Sequence, residues 1–208
     1  MLIIANILLW SFKEGIGCIS DALTKTKYLK TLSLAGNELD DAAGVYFLEN
    51  GIARNKSVTR LDLSQNLLGN DTAMAIGRFL SQSNVLSELS LRWNNIRGEG
   101  VCCLARGIRR SQLLSTIDLG WNMMKSEGGF AIAEAIATNS SLRRVDLSQN
   151  GIGAEAGVLI AEAVRTSRMK ALEMQQNPIG CKCWWWFKCW WEHLLLALQF
   201  IAMKSHLY

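Results

Sequence analysis

The residues near the C-terminus include thiols and imidazoles that could coordinate zinc. Cys181, Cys183 and Cys189 are followed by His193 and His206, the only two histidines of the chain. Structural zinc sites pair their ligands with spacings such as C-x₂-C followed by a second pair. Here a single residue separates the first two cysteines, and no second pair follows. We therefore predict no metal site and interpret these cysteines as ordinary thiols.

Enzyme chemistry is not supported by any motif in the sequence. The chain contains no P-loop, no G-x-S-x-G nucleophile motif and no H-E-x-x-H motif. Both histidines stand near the C-terminus, so the rest of the chain has no imidazole for general-base catalysis. We predict a non-enzymatic protein that uses no cofactor and no small-molecule substrate.

Tryptophan and arginine side chains could instead bind a protein partner. Trp93 and Trp121 are 28 residues apart, and Arg92 directly precedes Trp93. Trp and Arg are enriched among the residues that dominate binding energy at protein interfaces. The alternative is that the two indoles stack on each other and have only a structural role.

Carboxylates recur at a similar interval and could attract a basic partner. They are Asp62, Asp118, Asp146 and Glu173, with Ser33 and Ser90 at the two remaining positions. Arg60 and Arg144 stand two residues before two of these carboxylates. The alternative is an ordinary solvated acidic face.

Asparagine sets the period behind these intervals. Asn37, Asn66, Asn94, Asn122, Asn150 and Asn177 are spaced 29, 28, 28, 28 and 27 residues apart. Each belongs to the same leucine pattern, which reads L-x-x-L-x-L-x-x-N-x-L from Leu29 to Leu39. Six copies of this pattern at a nearly constant period predict a solenoid of stacked repeats.

One repeat has the pattern of a strand followed by a helix. Val145 and Leu147 alternate with polar residues, as in a short strand with one buried face. Asn150 then turns the chain, and residues 153–164 show helical spacing of apolar residues. We predict a right-handed α/β solenoid with about six parallel strands on the concave face and helices on the convex face. The carboxylates then face the concavity, and the two tryptophans lie at the strand ends with part of each ring accessible.

The repeat resembles the ribonuclease-inhibitor type of leucine-rich repeat. Its period and the segments Gly98-Glu99-Gly100 and Ser126-Glu127-Gly128, which precede helices, carry the resemblance over about residues 13–180. It is similar to the repeats of NOD-like receptors and of small cytosolic leucine-rich-repeat proteins. The resemblance implies the fold and favours a protein-interaction module that binds through its concave face. A Ran-GTPase-activating protein has the same repeat type, so regulation of a small GTPase is the alternative function.

Residues 1–12 are apolar and do not fit the repeat in register. No Arg or Lys precedes the apolar run, and no small-residue cleavage site follows it, so a signal peptide is disfavoured. We expect an atypical leader that covers the first repeat as a strand-like segment.

Residues 181–208 form an atypical tail that contains five of the eight tryptophans. Residues 184–203 are long enough for a membrane span, but Lys188, Glu192 and His193 fall inside it. Each central charge costs roughly 2.5–3.5 kcal/mol. An interfacial amphipathic helix is the second interpretation, and either would make the protein a membrane-tethered scaffold. We favour a third, a foreign segment that replaces lost repeats in a truncated or alternatively spliced form.

Composition indicates a globular protein, with 50% hydrophobic and 19% charged residues. The net charge of +4 includes no run of five like charges, so we predict no nucleic-acid partner. Cys18 and Cys103 occupy the same position three repeats apart, too far for a disulfide. We therefore expect reduced thiols and a cytoplasmic protein.

Overall fold

The structure, a computed structural model, describes residues 1–3, 12–82 and 85–179. The predicted tail lies outside these residues, with its thiols, its histidines and the possible membrane segment 184–203. Most of the predicted leader, residues 4–11, also lies outside them.

Short strands alternate with helices along the described chain. The strands are β1 (Leu2–Ile3), β2 (Thr31–Ser33), β3 (Arg60–Asp62), β4 (Glu88–Ser90), β5 (Thr116–Asp118), β6 (Arg144–Asp146) and β7 (Ala171–Glu173). The α-helices are α1 (Phe12–Lys25), α2 (Asp41–Asn50), α3 (Asn70–Gln82), α4 (Gly98–Arg110), α5 (Lys125–Thr138) and α6 (Ala154–Thr166). A short 3₁₀ helix, Ile52–Arg54, follows α2.

The strands form one parallel sheet in which the spatial order equals the chain order, β1 to β7. Equivalent repeat positions pair across it, so that Leu61 lies opposite Leu89 and Ile117 opposite Val145. The predicted βα solenoid is confirmed, with parallel strands on the concave face and helices on the convex face. The described residues hold seven strands, one more than predicted, because Leu2 and Ile3 pair with Leu32 and Ser33 of β2.

The core runs continuously between sheet and helices. A fully buried leucine directly follows each of the strands β2 to β6. These residues are Leu34, Leu63, Leu91, Leu119 and Leu147. The helices contribute the large residues Phe47, Ile76, Leu104, Ile132 and Ile160, each at most 2% exposed. The small helix positions are needed for close packing, since a Cβ on Gly44 would lie 2.8 Å from Leu68 Cδ2.

The repeat asparagines connect neighbouring repeats by hydrogen bonds. The Asn66 amide nitrogen donates to the Leu34, Leu63 and Ser64 carbonyls. Its carbonyl oxygen accepts from the Asn37 and Leu39 backbone N–H groups. One buried side chain therefore satisfies the backbone polar groups of two successive turns.

A second set of asparagines makes similar hydrogen bonds at the C-terminal ends of helices. The Asn139 amide donates to the Ile108 and Ser111 carbonyls, and its oxygen accepts from the Ser141 and Leu142 N–H groups. Asn55 makes the equivalent hydrogen bonds in the turn before β3. The N-x-S pattern at both positions marks this turn in the sequence, and we did not predict it.

Helix starts are capped from the preceding repeat. The Asp41 carboxylate accepts from the N–H groups of Gly69, Asp71 and Thr72 at the start of α3. Burial acts to raise the pKa of Asp41, but these hydrogen bonds outweigh it and hold the pKa below its ordinary value. Asn70 in turn accepts from Arg97 N–H just before α4.

Among the described residues, every helix is too short or too polar to span a membrane.

Candidate binding surface on the concave face

The predicted site residues lie on the concave face, but they form separate groups. Arg60 and Asp62 belong to β3, Asp118 to β5, Arg144 and Asp146 to β6 and Glu173 to β7. Arg92 and Trp93 follow β4, and Trp121 follows β5. The structure brings Arg92 together with Asp118 and Asp146, and it brings the two tryptophans together.

Trp93 and Trp121 form a stacked pair at the ends of β4 and β5. Their ring centroids are 4.0 Å apart, and the ring planes differ by 11°. Trp93 remains 46% exposed, and Trp121 is half-buried. The predicted stacking and the predicted accessibility are both present, so a structural role and a binding role are compatible here.

The backbone beneath the stack has the left-handed conformation. Trp93 has φ 56° and Trp121 φ 57°, a region that non-glycine residues rarely adopt. The same φ sign recurs in the residue before each repeat asparagine, at Gly36, Gln65, Gln149 and Gln176. The Trp93 N–H nevertheless donates to the Gly120 carbonyl and the Trp121 N–H to the Ser148 carbonyl. The ladder between repeats therefore fixes both indoles at the strand ends.

Arg92 spans two repeats beside this stack. Its Nη1 lies 2.6 Å from Asp146 Oδ2 and 3.7 Å from Asp118 Oδ1. The arginine side chain is 33% exposed, and the Asp146 side chain is only 15% exposed. Partial burial strengthens this interaction relative to an ion pair in open solvent.

Gly120 provides the space that the Arg92 guanidinium occupies. A Cβ at Gly120 would lie 2.6 Å from Arg92 Nη1 and 3.2 Å from both Asp118 Oδ1 and Asp146 Oδ2. Other repeats carry Ala35, Ser64 and Ser148 at this position. A side chain there would displace the arginine, so this cluster is specific to one part of the solenoid.

Asp118 is the electrostatically strained member of the cluster. Burial raises its pKa above the ordinary value, and the nearby Asp146 and Glu173 carboxylates act in the same direction. A hydrogen bond from Gly120 N–H and the charge of Arg92 oppose these effects without cancelling them. An additional positive charge placed here by a partner would therefore be favourable.

The carboxylates also have a local structural role. Asp62, Asp118 and Asp146 each accept the backbone N–H of the residue two positions later, where the chain leaves its strand. Asp62 additionally accepts from the Ser33 hydroxyl in the neighbouring strand. This structural role explains the presence of three of the four recurring carboxylates without invoking a binding partner.

Arg60 belongs to a different group. Its Nε lies 2.9 Å from Glu88 Oε1 on the next strand, in an exposed ion pair. Glu88 was not among the predicted site residues. Within the described residues, Arg144 and Glu173 form no ion pair, and both are exposed. These two side chains are therefore the charges of this face that a partner could reach most readily.

Two exposed apolar residues extend the surface from the tryptophans onto the loops. Leu67 is 52% exposed and Met123 is 43% exposed, and each directly follows a repeat asparagine. Other repeats have Glu38, Asn95, Gly151 and Pro178 at this position. We did not predict a role for either residue, although large, flexible apolar side chains at a position that otherwise lacks them were a usable signal.

The described cysteines Cys18, Cys102 and Cys103 are free thiols. Burial raises the pKa of Cys102, and the neighbouring Glu127 carboxylate adds to this effect. Among the described residues no group of His, Cys, Asp and Glu is arranged to hold a metal ion.

Comparison with known proteins agrees with this architecture. The leucine-rich repeat family matches residues 26–48, 54–77, 82–105, 110–133 and 138–161, together more than half of the chain. A sequence comparison with curated proteins gives no match.

Among solved structures, one similar fold is that of leiomodin-1 actin-binding site 2. It has 16% sequence identity and a TM-score of 0.57, over 74% of this chain and 88% of that chain. At this identity the likeness concerns the fold alone. The repeat matches, together with the parallel sheet and the asparagine ladder, show that the chain belongs to the leucine-rich repeat family.

Proposed function

We propose that this leucine-rich-repeat chain is a non-enzymatic protein-interaction module that binds a protein partner through its concave face. The observation that carries the proposal is the exposed Trp93–Trp121 stack beside the Arg92–Asp118–Asp146 cluster. Solenoids of this kind present rigid, extended concave surfaces, and tryptophan and arginine commonly dominate binding energy at protein interfaces.

The surface favours a partner with an apolar anchor and a basic rim. The stacked indoles, Leu67 and Met123 would contact the apolar part. The charged residues described above on the concave face are five carboxylates and three arginines. The carboxylates are Asp62, Glu88, Asp118, Asp146 and Glu173, and the arginines are Arg60, Arg92 and Arg144. The excess of carboxylates and the raised pKa of Asp118 favour a positive charge on the partner.

The test compares quantitative affinity capture by three forms of the full chain. The Trp93→Ala/Trp121→Ala variant lacks the stack, whereas Phe130→Ala removes an exposed aromatic ring from the convex helix α5. A partner of the concave face is retained by the wild type and by Phe130→Ala and is lost by the tryptophan variant. We expect the tryptophan substitutions to weaken its binding by about 2 kcal/mol or more, measured by calorimetry on the purified partner.

Two results would contradict the proposal. One is that the tryptophan variant only lowers the melting temperature and leaves affinity unchanged. The other is catalytic stimulation of GTP hydrolysis by a captured small GTPase, which would indicate a regulator instead of a binding module. The similar leiomodin-1 segment is called an actin-binding site, so actin is a convenient first protein to test by cosedimentation.

We also propose a cytoplasmic location, which the free thiols of Cys18, Cys102 and Cys103 support. Fractionation of cells that express the full chain tests this, and recovery in a carbonate-resistant membrane fraction would contradict it.

A further inference from the structure

The convex face carries a basic groove that the concave-face proposal does not use. It lies over α3 and α4, encloses about 700 Å³ and is lined by Arg78, Arg106, Arg109 and Arg110. Thr138 of α5 closes one side. A volume of this size falls in the range of sites for small molecules, roughly 300–1,000 Å³.

The arginines depart from a column that is otherwise acidic. Twelve residues after the repeat asparagines the chain has Glu49, Arg78, Arg106, Glu134 and Glu162 in successive repeats. Two adjacent repeats therefore reverse the charge of this helix position. Arg109 and Arg110, in the last turn of α4, add to the same region. The positive charge is concentrated in this groove and is not a general property of the convex face.

Most of these guanidinium groups have no acidic partner among the described residues. Of the four arginines, only Arg109 forms an ion pair in this part of the chain, with Glu134 of α5. Arg106 donates to the Cys103 sulfur, at 3.6 Å. Arg78 also lines a neighbouring groove, together with Glu49. Among the described residues, however, Arg78 forms no ion pair with Glu49 or with any other carboxylate. Within the described chain, three guanidinium groups can thus donate into one groove without breaking an ion pair.

Close helix packing gives the groove a rigid floor. A Cβ on Gly77 would lie 2.5 Å from the Cys103 carbonyl oxygen, and a Cβ on Gly107 would overlap the Gly77 backbone. The absence of both side chains lets α3 and α4 approach closely below the arginines. The four arginines are themselves exposed, and all of them line this one groove.

We propose that this groove binds a small polyphosphate-bearing molecule. Planar guanidinium groups donate paired hydrogen bonds to phosphoryl oxygens, and three of them without an ion pair match a ligand with several phosphoryl groups. A single phosphorylated side chain would engage fewer of them. The site is independent of the concave face, and neither proposal requires the other.

The test uses inorganic triphosphate and the full chain in isothermal titration calorimetry. We expect the wild type to bind one triphosphate, and Arg106→Ala to weaken binding about tenfold or more, because the substitution removes charge-assisted hydrogen bonds to the phosphoryl oxygens. Arg106→Lys keeps the charge without the planar fork and should also bind more weakly than the wild type. Arg165→Ala, on α6 outside the groove, should leave affinity unchanged.

Substitution of Glu134 gives a change of opposite sign. Glu134→Gln releases Arg109 into the groove and should strengthen triphosphate binding about two- to fivefold. Glu162→Gln removes the same charge at the equivalent position of the next repeat and should have no comparable effect. Circular dichroism and thermal melts confirm that each variant is folded.

The proposal is overturned if the wild type does not bind triphosphate, or if Arg165→Ala weakens binding as much as Arg106→Ala. Equal strengthening by Glu134→Gln and Glu162→Gln would likewise show diffuse attraction without a defined site. Tighter binding of a phosphoserine peptide than of triphosphate, with the same dependence on Arg106, would show that the groove docks a modified protein instead.

Discussion

Trp93 and Trp121 combine an unfavourable backbone conformation with a favourable side-chain contact. A left-handed backbone conformation costs an L-residue roughly 1–2 kcal/mol. Stacking of two aromatic rings contributes roughly 0.5–1.5 kcal/mol beyond buried area. Because both residues are left-handed, the backbone cost exceeds what their single stack contributes, and the pair keeps two large rings at an accessible edge. The same backbone conformation occurs at Gln65, Gln149 and Gln176, so it belongs to the repeat, and the stack is what distinguishes this pair.

Glycine at position 93 should be tolerated better than alanine. Both Trp93→Gly and Trp93→Ala remove the stack, but only glycine adopts the left-handed conformation without a Cβ penalty. We expect the glycine variant to be more stable than the alanine variant by about 1 kcal/mol in urea denaturation. The same comparison at Asn95, whose φ is not positive, should favour alanine. Greater stability of Trp93→Ala would contradict backbone strain at this position.

At the residue scale, the sequence predicted positions better than interactions. The repeat placed Arg92, Asp118 and the tryptophans correctly, because their spacing follows the asparagine period. The left-handed backbone was missed, although Gly36 in the same column was a clue to it. The Arg92 cluster could not be predicted, because it depends on a side chain reaching two repeats and on the space above Gly120.

At the scale of the helix, Asp41 should make stability depend on pH. Its pKa is lowered in the folded protein, so its contribution is present above the unfolded pKa of about 3.9 and is lost as pH falls through the folded pKa. Asp41→Ala should cost about 1–2 kcal/mol at pH 7, as for other lost helix caps.

The measurement for Asp41 is urea denaturation at pH 7 and near pH 3. The gap between wild type and Asp41→Ala should shrink at the lower pH. Asp41→Asn keeps an oxygen acceptor but does not titrate, so it should lose less stability at pH 7. A gap of constant size across this pH range would show that the carboxylate charge does not matter for the cap.

The close approach of α3 and α4 gives a second prediction about elements. Alanine in a helix is favoured over glycine by about 1 kcal/mol. At Gly107 the added Cβ meets the backbone of Gly77, which cannot move without separating the helices. We expect Gly107→Ala to destabilise the protein by about 2 kcal/mol in urea denaturation.

Gly17 is the matched control for this substitution. It lies in α1, where an added Cβ would meet only the Tyr46 hydroxyl at 4.0 Å among the described residues. Gly17→Ala should therefore be neutral or slightly stabilising. If both alanine variants behave alike, helix propensity alone decides the outcome and the close approach is not a constraint.

The sequence predicted the elements from periodicity, and its misses have a common cause. Strands and helices follow local spacing and were placed correctly. The Asp41 cap and the contact between Arg92 and Asp146 connect different repeats. Contacts of that kind depend on how repeats stack, and one repeat's pattern does not encode them.

The whole molecule presents two chemically different faces built on one scaffold. The concave face combines aromatic rings with an excess of carboxylates, whereas the convex groove over α3 and α4 is rich in arginine. Because each repeat contacts its neighbours, a stretch of successive repeats can change the chemistry of one face without changing the other. Opposite faces can then bind different ligands independently.

The same architecture predicts that repeat asparagines differ in importance with burial. Asn94 donates to the Leu63, Leu91 and Arg92 carbonyls and is 6% exposed. Asn177 makes equivalent bonds to carbonyls, including that of Leu147, but is only half-buried. In the alanine variants, backbone groups that lose their partner at Asn94 stay shielded from water, whereas those at Asn177 are hydrated.

Since an unsatisfied buried group costs roughly 1–3 kcal/mol, Asn94→Ala should cost about 3 kcal/mol or more and Asn177→Ala about 1 kcal/mol. Urea denaturation of both variants, with exposed Asn95→Ala as the control of negligible effect, measures the difference. Equal losses at Asn94 and Asn177 would mean that the ladder's contribution does not depend on burial along the solenoid.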